Sequence, residues 1–252
     1  MSTPRTLPLV IGSLPSPFVR KVLAVLELKG LPYEIDPIIP FFGDDRFTEI
    51  SPLRRIPVYI DDLVTLSDSS VICQYLEDRY PEPRVYPADI AQRAQARWHE
   101  EYADSHMTDV CIWRIFYPAV VKPHVFKAER DMAAIEKAVR EDLPGVLHYL
   151  EGIAPRQGFL FGDISIADIS LAVPLRNLKW ARFAVTPDQA PKAMAWLDRV
   201  QTHPCLARIT EAADICIRTA PDGQRDVMRG KGLKVAVESL AGSTARRGPM
   251  TV

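Results

Sequence analysis

The amino-acid sequence predicts an α+β domain, a mixed four-stranded sheet with helices packed on it, followed by an all-α helical bundle. Three observations carry this. Through the first eighty residues, short apolar and β-branched runs alternate with runs of helical period. From Ile90 onward the pattern changes to long helical periods with no alternating run of convincing length. Between the two, Pro81 to Pro87 reads as a linker.

Leu7, Leu9 and Ile11 alternate with Pro8 and Val10, and the apolar run to Ser13 is too short for a helix, so it is read as the first strand. After Ser16-Pro17, apolar residues recur at Val19, Val22, Leu23 and Leu26, the spacing of one helical face, and Gly30 stops that helix. Tyr33 to Ile39 is β-branched and bounded by prolines, a second strand, and Asp44 to Ile50 is a short helix. Pro57–Ile60 and Leu63–Leu66, joined by Asp61-Asp62, form a hairpin, and Ser69–Arg79 is helical with Val71, Ile72, Tyr75 and Leu76 on one face. A right-handed crossover makes the first two strands parallel, and the closing hairpin is antiparallel.

Farther along, Ile90 to Tyr117 reads as one long helix that Pro118 and Pro123 interrupt, and His124 to Gly152 as a second that accommodates Pro144. Helices follow at Ser165–Lys179, Gln189–Thr202 and Cys205–Ile217. The expected domains are 1–82 and 90–217, with 83–89 as linker. Residues 218–252, with seven basic against three acidic side chains and five glycines, are expected to be a flexible basic tail.

At 47% hydrophobic and 25% charged residues the chain has the composition of an ordinary globular protein. A net charge of -1 without a basic, aromatic-interleaved stretch argues against nucleic-acid binding. No run of about 18 apolar residues points to a membrane span, and no apolar signal core precedes a cleavage site, so a cytoplasmic protein is expected. Cys73, Cys111, Cys205 and Cys216 lack Cys-x-x-Cys spacing and read as reduced packing residues. The five histidines form no zinc-spaced cluster, so no metal is expected.

Three segments concentrate residues that can carry chemistry. In Ser13-Leu14-Pro15-Ser16-Pro17-Phe18-Val19-Arg20-Lys21-Val22 a strand ends and a helix starts, and Ser16 alone would be read as its N-cap. In Ser51-Pro52-Leu53-Arg54-Arg55-Ile56-Pro57-Val58 a proline stands at the threshold of a strand, and the base rate for its bond is trans. In Leu66-Ser67-Asp68-Ser69-Ser70-Val71-Ile72-Cys73, small polar residues lead into a helix that Asp68 or Ser69 can cap.

In this order and within sixty residues, the three segments together resemble the glutathione transferase family. The Ser16-Pro17-Phe18 turn is similar to that of serine-type members, notably the tau class and its bacterial relatives. Gly162-Asp163-Ile164-Ser165-Ile166-Ala167-Asp168 is similar to the family's capping box in the helical domain, with Ile164 and Ile169 placed as a hydrophobic staple. No Tyr precedes Tyr33 and no Cys precedes Cys73, so tyrosine- and cysteine-type chemistry are disfavoured.

The resemblance implies a thioredoxin-like first domain with a cis Ile56-Pro57 bond and glutathione as co-substrate. It implies Ser16, rather than Ser13, as thiol activator, and Arg55, Ile56, Pro57, Asp68 and Ser69 as the glutathione-binding residues. It places the electrophile beside the long helix, where Tyr102, His106, Asp109 and Trp113 recur at helical spacing; Tyr102, His106 and Trp113, with Leu14 and Phe18 opposite, are the candidate pocket. An interhelical packing stripe would show the same spacing. The implied activity is attack of the glutathione thiolate on a small hydrophobic electrophile by a homodimer, with a detoxification role. A glutathione-dependent peroxidase, isomerase or dehalogenase and a non-catalytic binding and dimerisation module are the alternatives. Departures from the pattern are Asp68 where Glu is usual, Arg55 where Lys or Gln is usual, and Pro40-Phe41-Phe42-Gly43 with no Lys for the glycyl carboxylate.

Overall fold

The computed structural model describes residues 6–249. The chain divides into two compact units, one of Met1–Pro83 with Pro204–Val252 and the other of Arg84–His203. The C-terminal segment therefore returns to the unit that holds the sheet.

In the first unit, β1 (Leu9–Ile11) pairs in parallel with β2 (Glu34–Asp36) and antiparallel with β3 (Val58–Ile60), which pairs antiparallel with β4 (Thr65–Leu66). The order is β2-β1-β3-β4, the expected mixed four-stranded sheet. β1 lies between two neighbours with every residue buried, which is why it is uninterruptedly apolar rather than alternating. Leu9, Ile11, Ile38, Phe47, Val58 and Ala236 form a core cluster on the sheet.

α1 (Pro17–Leu28) starts at Ser16 with Pro17 in its first turn, and Gly30 follows at φ +64°, a left-handed position that suits glycine. It packs on α3 (Ser69–Arg79) and on α10 (Pro204–Cys216). A 3-10 turn at Pro40–Phe42 and the short α2 (Asp45–Ile50) connect β2 to β3, with Asp44 capping α2 by accepting the Phe47 N–H at 3.0 Å. The hairpin turn is wider than Asp61-Asp62, since Asp61 N–H reaches the Val64 carbonyl at 3.1 Å.

Residues 218–252 were expected to be a flexible tail, and the described part is folded. Pro221–Gly230 form α11, packed on α10, and Val235 bridges in parallel to Ile35 on the outer edge of β2. Ala241 then bridges to Gly43. The reason is that the segment carries its own apolar anchors, Met228, Leu233 and Ala236, all buried, and that Asp36 supplies a buried carboxylate for them to close over. Asp36 accepts from Ser239 Oγ at 2.7 Å, Leu240 N–H at 2.8 Å and the Arg225 guanidinium at 3.3 Å.

In the second unit, α4 (Ile90–Tyr102) runs into a π-helical segment, Ala103–Val121, and then α5 (Lys122–Phe126). The expected break at Pro118 does not occur. A proline disrupts an α-helix by removing an i→i−4 donor and crowding the carbonyl four residues back; in the wider i→i+5 winding that carbonyl is displaced, and the pattern closes with Lys122 N–H on the Tyr117 carbonyl. The helix stops instead at Lys127, which is left-handed at φ +56°.

The expected second helix from His124 to Gly152 is likewise divided into α6 (Met132–Lys137), a π-helical turn at Ala138–Asp142 and α7 (Leu143–Ile153), with Pro144 tolerated in the first turn of α7. α8 (Ile166–Trp180) packs against the π-helical segment and α4, and α9 (Pro191–Thr202) against α8 and α7. The Ser165/Asp168 capping box forms at the start of α8. Asp168 is fully buried and also accepts Leu160 N–H at 3.0 Å and Trp196 Nε1–H at 2.9 Å. Among the described residues no helix is long and apolar enough to cross a membrane.

Candidate functional site

The first unit brings the three sequence segments together through specific contacts. The first joins the β1–α1 turn to the strand-threshold proline. Gly12 sits at φ +147°, and a Cβ there would come within 2.6 Å of Val19 Cγ2 and 2.9 Å of Ile56 Cβ. The backbone of the turn is thus pressed onto Ile56, and only glycine allows that approach. The Ile56-Pro57 bond is cis, as expected.

The second contact joins that proline segment to the third. Ser51 is fully buried, and its Oγ lies 3.0 Å from Ser67 Oγ, donates to the Arg55 carbonyl at 2.9 Å and accepts the Arg55 N–H at 3.0 Å. The third joins α1 to the start of α3, where the buried Lys21 Nζ donates to Ser70 Oγ at 3.1 Å.

Within this frame Ser16 occupies the N-cap of α1 and is half-buried; its Oγ accepts the Val19 N–H at 3.4 Å, long for a hydrogen bond. That bond uses a lone pair and leaves the hydroxyl proton uncommitted to it. The position is the positive end of a helix, where an anion is stabilised. Ser13 lies two residues beyond β1 and is buried, and its carbonyl accepts the Ser16 N–H at 3.1 Å.

Asp68 caps α3 and is exposed; one carboxylate oxygen accepts both the Ser70 and Val71 N–H groups at 3.0 Å. Ser69 beside it is buried. Arg55 is exposed and Ile56 half-buried, while Pro57 is buried. Leu14 is fully buried, so it offers packing rather than a pocket wall, whereas Phe18 is half-buried.

Arg54, not singled out by the sequence, is the buried arginine of the pair. It is left-handed at φ +51°, and its Nη2 donates to the carbonyls of Gly43 at 2.8 Å and Pro40 at 3.3 Å, with Nη1 on Thr48 Oγ1. Burial and the nearby charge of Arg246 both pull its pKa down. It ties the segment after β2, which has no lysine, to the turn before Ile56.

In the second unit Tyr102 and His106 lie together, rings 5.3 Å apart, with His106 exposed and Tyr102 half-buried. Trp113 packs against Tyr117 with the rings tilted and their centroids 5.3 Å apart, and Asp109 pairs with Arg114 at 2.6 Å. The expected four-residue stripe is thus divided, because π-helical winding changes which residues become neighbours. Tyr149, on α7, packs on Tyr102 instead: its ring is 4.1 Å from that of Tyr102, and its hydroxyl meets Trp98 Nε1 at 3.2 Å and His99 Nδ1 at 3.0 Å. Burial pushes the Tyr102 phenol up to about 12 and holds His99 below its ordinary value. No local signal marked Tyr149, since it comes from another helix. Among the described residues no group of His, Cys, Asp or Glu is placed to hold a metal ion.

Comparison with known proteins supplies the remaining context. Residues 10–84 match the glutathione S-transferase N-terminal domain and residues 118–211 the glutathione S-transferase C-terminal domain. The chain is 29% identical over 203 residues to maleylacetoacetate isomerase of Rattus norvegicus, covering 76% of this chain and 90% of that protein. It is 28% identical over 231 residues to glutathione S-transferase theta-3 of Mus musculus, covering 88% and 93%. Glutathione S-transferase Z2 of Arabidopsis thaliana is 40% identical over 77 residues, a match spanning 29% of this chain and 34% of that protein. Among solved structures, a glutathione S-transferase from Rhodospirillum rubrum F11 superposes with a TM-score of 0.73 at 25% identity, covering 80% of this chain and 91% of that one.

Proposed function

Because the chain belongs to the glutathione transferase family, we propose that it binds glutathione in its first unit and presents the thiolate to a small hydrophobic electrophile. The observation that carries this reading is the convergence of the three segments through Gly12 and Ile56, Ser51 and Ser67, and Lys21 and Ser70. On this reading Ser16 donates to the sulfur, Arg55, Ile56 and Pro57 hold the peptide portion, and Asp68 and Ser69 take the γ-glutamyl end. Tyr102 and His106, which lie together in the second unit, contact the electrophile, and the working form is a cytoplasmic homodimer.

The chemistry has to raise the thiolate fraction. A thiol of pKa about 8.5 is about 3% ionised at pH 7, and lowering the pKa to about 6.5 raises that about 25-fold. The less basic thiolate is about 6- to 10-fold weaker as a nucleophile if β is about 0.4 to 0.5, so activation alone nets about 3-fold. Most of the rate must then come from holding the electrophile against the sulfur.

Retention on immobilised glutathione, together with turnover of an aromatic halide, tests the reading; a folded protein that neither binds glutathione nor turns over the halide would sink it. A glutathione-dependent isomerisation is the second reading, favoured by the similarity to the rat isomerase along 76% of this chain. Turnover of a cis-enedione acid without net consumption of glutathione would select it.

A further inference from the structure

The returning strap, residues 234–246, is tied to the candidate site by two routes. The first runs through Asp36, whose buried carboxylate accepts from Ser239 Oγ and Leu240 N–H in the strap while its backbone carbonyl accepts the Gly12 N–H at 2.8 Å. Gly12 is the residue pressed onto Ile56. The second runs through the loop after β2. Asp44 N–H reaches the Leu240 carbonyl at 2.8 Å, Arg246 N–H the Phe41 carbonyl at 2.7 Å, Gly242 N–H the Phe42 carbonyl, and Arg46 Nη2 the Ser239 carbonyl at 3.0 Å. The approach is close, since a Cβ on Gly242 would stand 3.3 Å from the Phe42 carbonyl oxygen. Arg54 grips the same loop through the Gly43 and Pro40 carbonyls and Thr48 Oγ1, so residues 40–48 are held between the strap and the turn that leads into Ile56.

The strap itself is lightly anchored. Leu233 and Ala236 are buried, but no residue from 237 to 249 is, and Val237 is 95% exposed. Gly232, left-handed at φ +75°, separates the strap from α11. A segment held by hydrogen bonds near solvent, with little apolar burial, opens at lower free energy than the helices around it.

We propose that residues 234–246 are a latch on the glutathione site. The inference rests on the glutathione reading above and deepens it. With the strap closed, the loop 40–48 and the Gly12–Ile56 contact are fixed in the geometry that receives the ligand. With the strap open, Asp36 loses its donors and Arg54 alone holds the loop. Glutathione binding and strap closure then favour each other by the same factor, because the ligand prefers the closed form.

Titration calorimetry on the full-length protein first measures glutathione binding, and amide hydrogen exchange is then followed across a glutathione series. Exchange at the Leu240, Gly242 and Arg246 amides is expected to slow as glutathione is added and to level off at about tenfold, a plateau equal to the coupling factor. No slowing in the saturated protein overturns the proposal. Slowing that keeps growing in proportion to glutathione overturns it too, since the strap then opens only when the whole protein unfolds. Gly242→Pro removes the donor to Phe42 without touching a residue assigned to the ligand, and is expected to weaken glutathione by up to the same factor; an unchanged affinity contradicts the latch. If circular dichroism shows that variant unfolded, the exchange series on the wild type decides the matter. A wild type that does not bind glutathione defeats the glutathione reading itself, and the latch with it.

Discussion

Gly12 and Ile56 are in such close register that a Cβ on Gly12 would lie 2.9 Å from the Cβ of Ile56. The contact presses the turn that carries Ser16 against the cis Ile56-Pro57 segment, so the geometry of the candidate site depends on a missing side chain. Gly12→Ala should therefore cost at least about 2 kcal/mol, from overpacking and from φ +147° combined. Chemical denaturation measures the loss; a loss under about 0.5 kcal/mol would mean that the turn relaxes freely and does not set the site.

Asp36 and Leu240 are joined at 2.8 Å across most of the chain, and the same carboxylate holds Ser239 and Arg225. Asp36→Ala leaves these donors without their acceptor and should destabilise the protein by about 3 kcal/mol. Hydrogen exchange should then speed at the Ile35, Asp44 and Ala236 amides, which bond to or from the returning segment. Unchanged exchange at those three amides would mean that apolar contacts alone retain the segment.

Asp61 organises the β3–β4 hairpin, accepting Tyr75 OH and Arg79 Nη1 at 2.7 Å each and the Leu63 and Val64 N–H groups at 2.8 and 2.9 Å. Burial pushes its carboxyl up, but these bonds and the Arg79 charge outweigh burial and hold it below the usual carboxylate value. A depressed folded-state value means that the unfolded chain takes up the proton first as pH falls. The stabilisation is therefore complete above the unfolded value, about 3.9, and is lost as pH drops through the lower folded value. Urea unfolding should show Asp61→Asn clearly weaker than wild type at pH 6, with the gap narrowing at pH 3. A gap of the same size at both values contradicts the linkage.

Ser16→Ala tests the thiol activator. The 3.4 Å cap bond is long, so its loss should cost no more than about 1 kcal/mol, while the bound thiol's pKa should rise and conjugation fall. Thiol titration by ultraviolet absorbance, with stability measured alongside, separates the two effects. If Ser13→Ala moves the titration and Ser16→Ala does not, the wrong serine has been chosen; if neither moves it, serine activation is absent.

Much of the fold was legible because its signals are local. A helix start is written in residues a few positions apart, as at Ser16-Pro17, Asp68 and the Ser165/Asp168 box, and each forms where its spacing places it. The alternation of strand and helix likewise foretold the mixed sheet. The cis bond at Ile56 was not legible from spacing, whose base rate favours trans; it followed from the resemblance of three segments taken together.

By itself, then, the sequence determined the strands and helices of the first eighty residues, their order and the serine, proline and aspartate segments, since capping, turn chemistry and hydrophobic period act over a few residues. Only the tertiary structure decided that residues 221–246 return to the edge of β2, that Arg54 rather than Arg55 is buried, that Lys21 reaches Ser70, and that Tyr149 joins Tyr102. Those contacts join residues between about ten and two hundred positions apart, and no local period records them. The π-helical winding belongs with them: the residues from Ala103 to Val121 suit ordinary helical spacing by composition, and an i→i+5 repeat becomes visible only in the backbone hydrogen bonds.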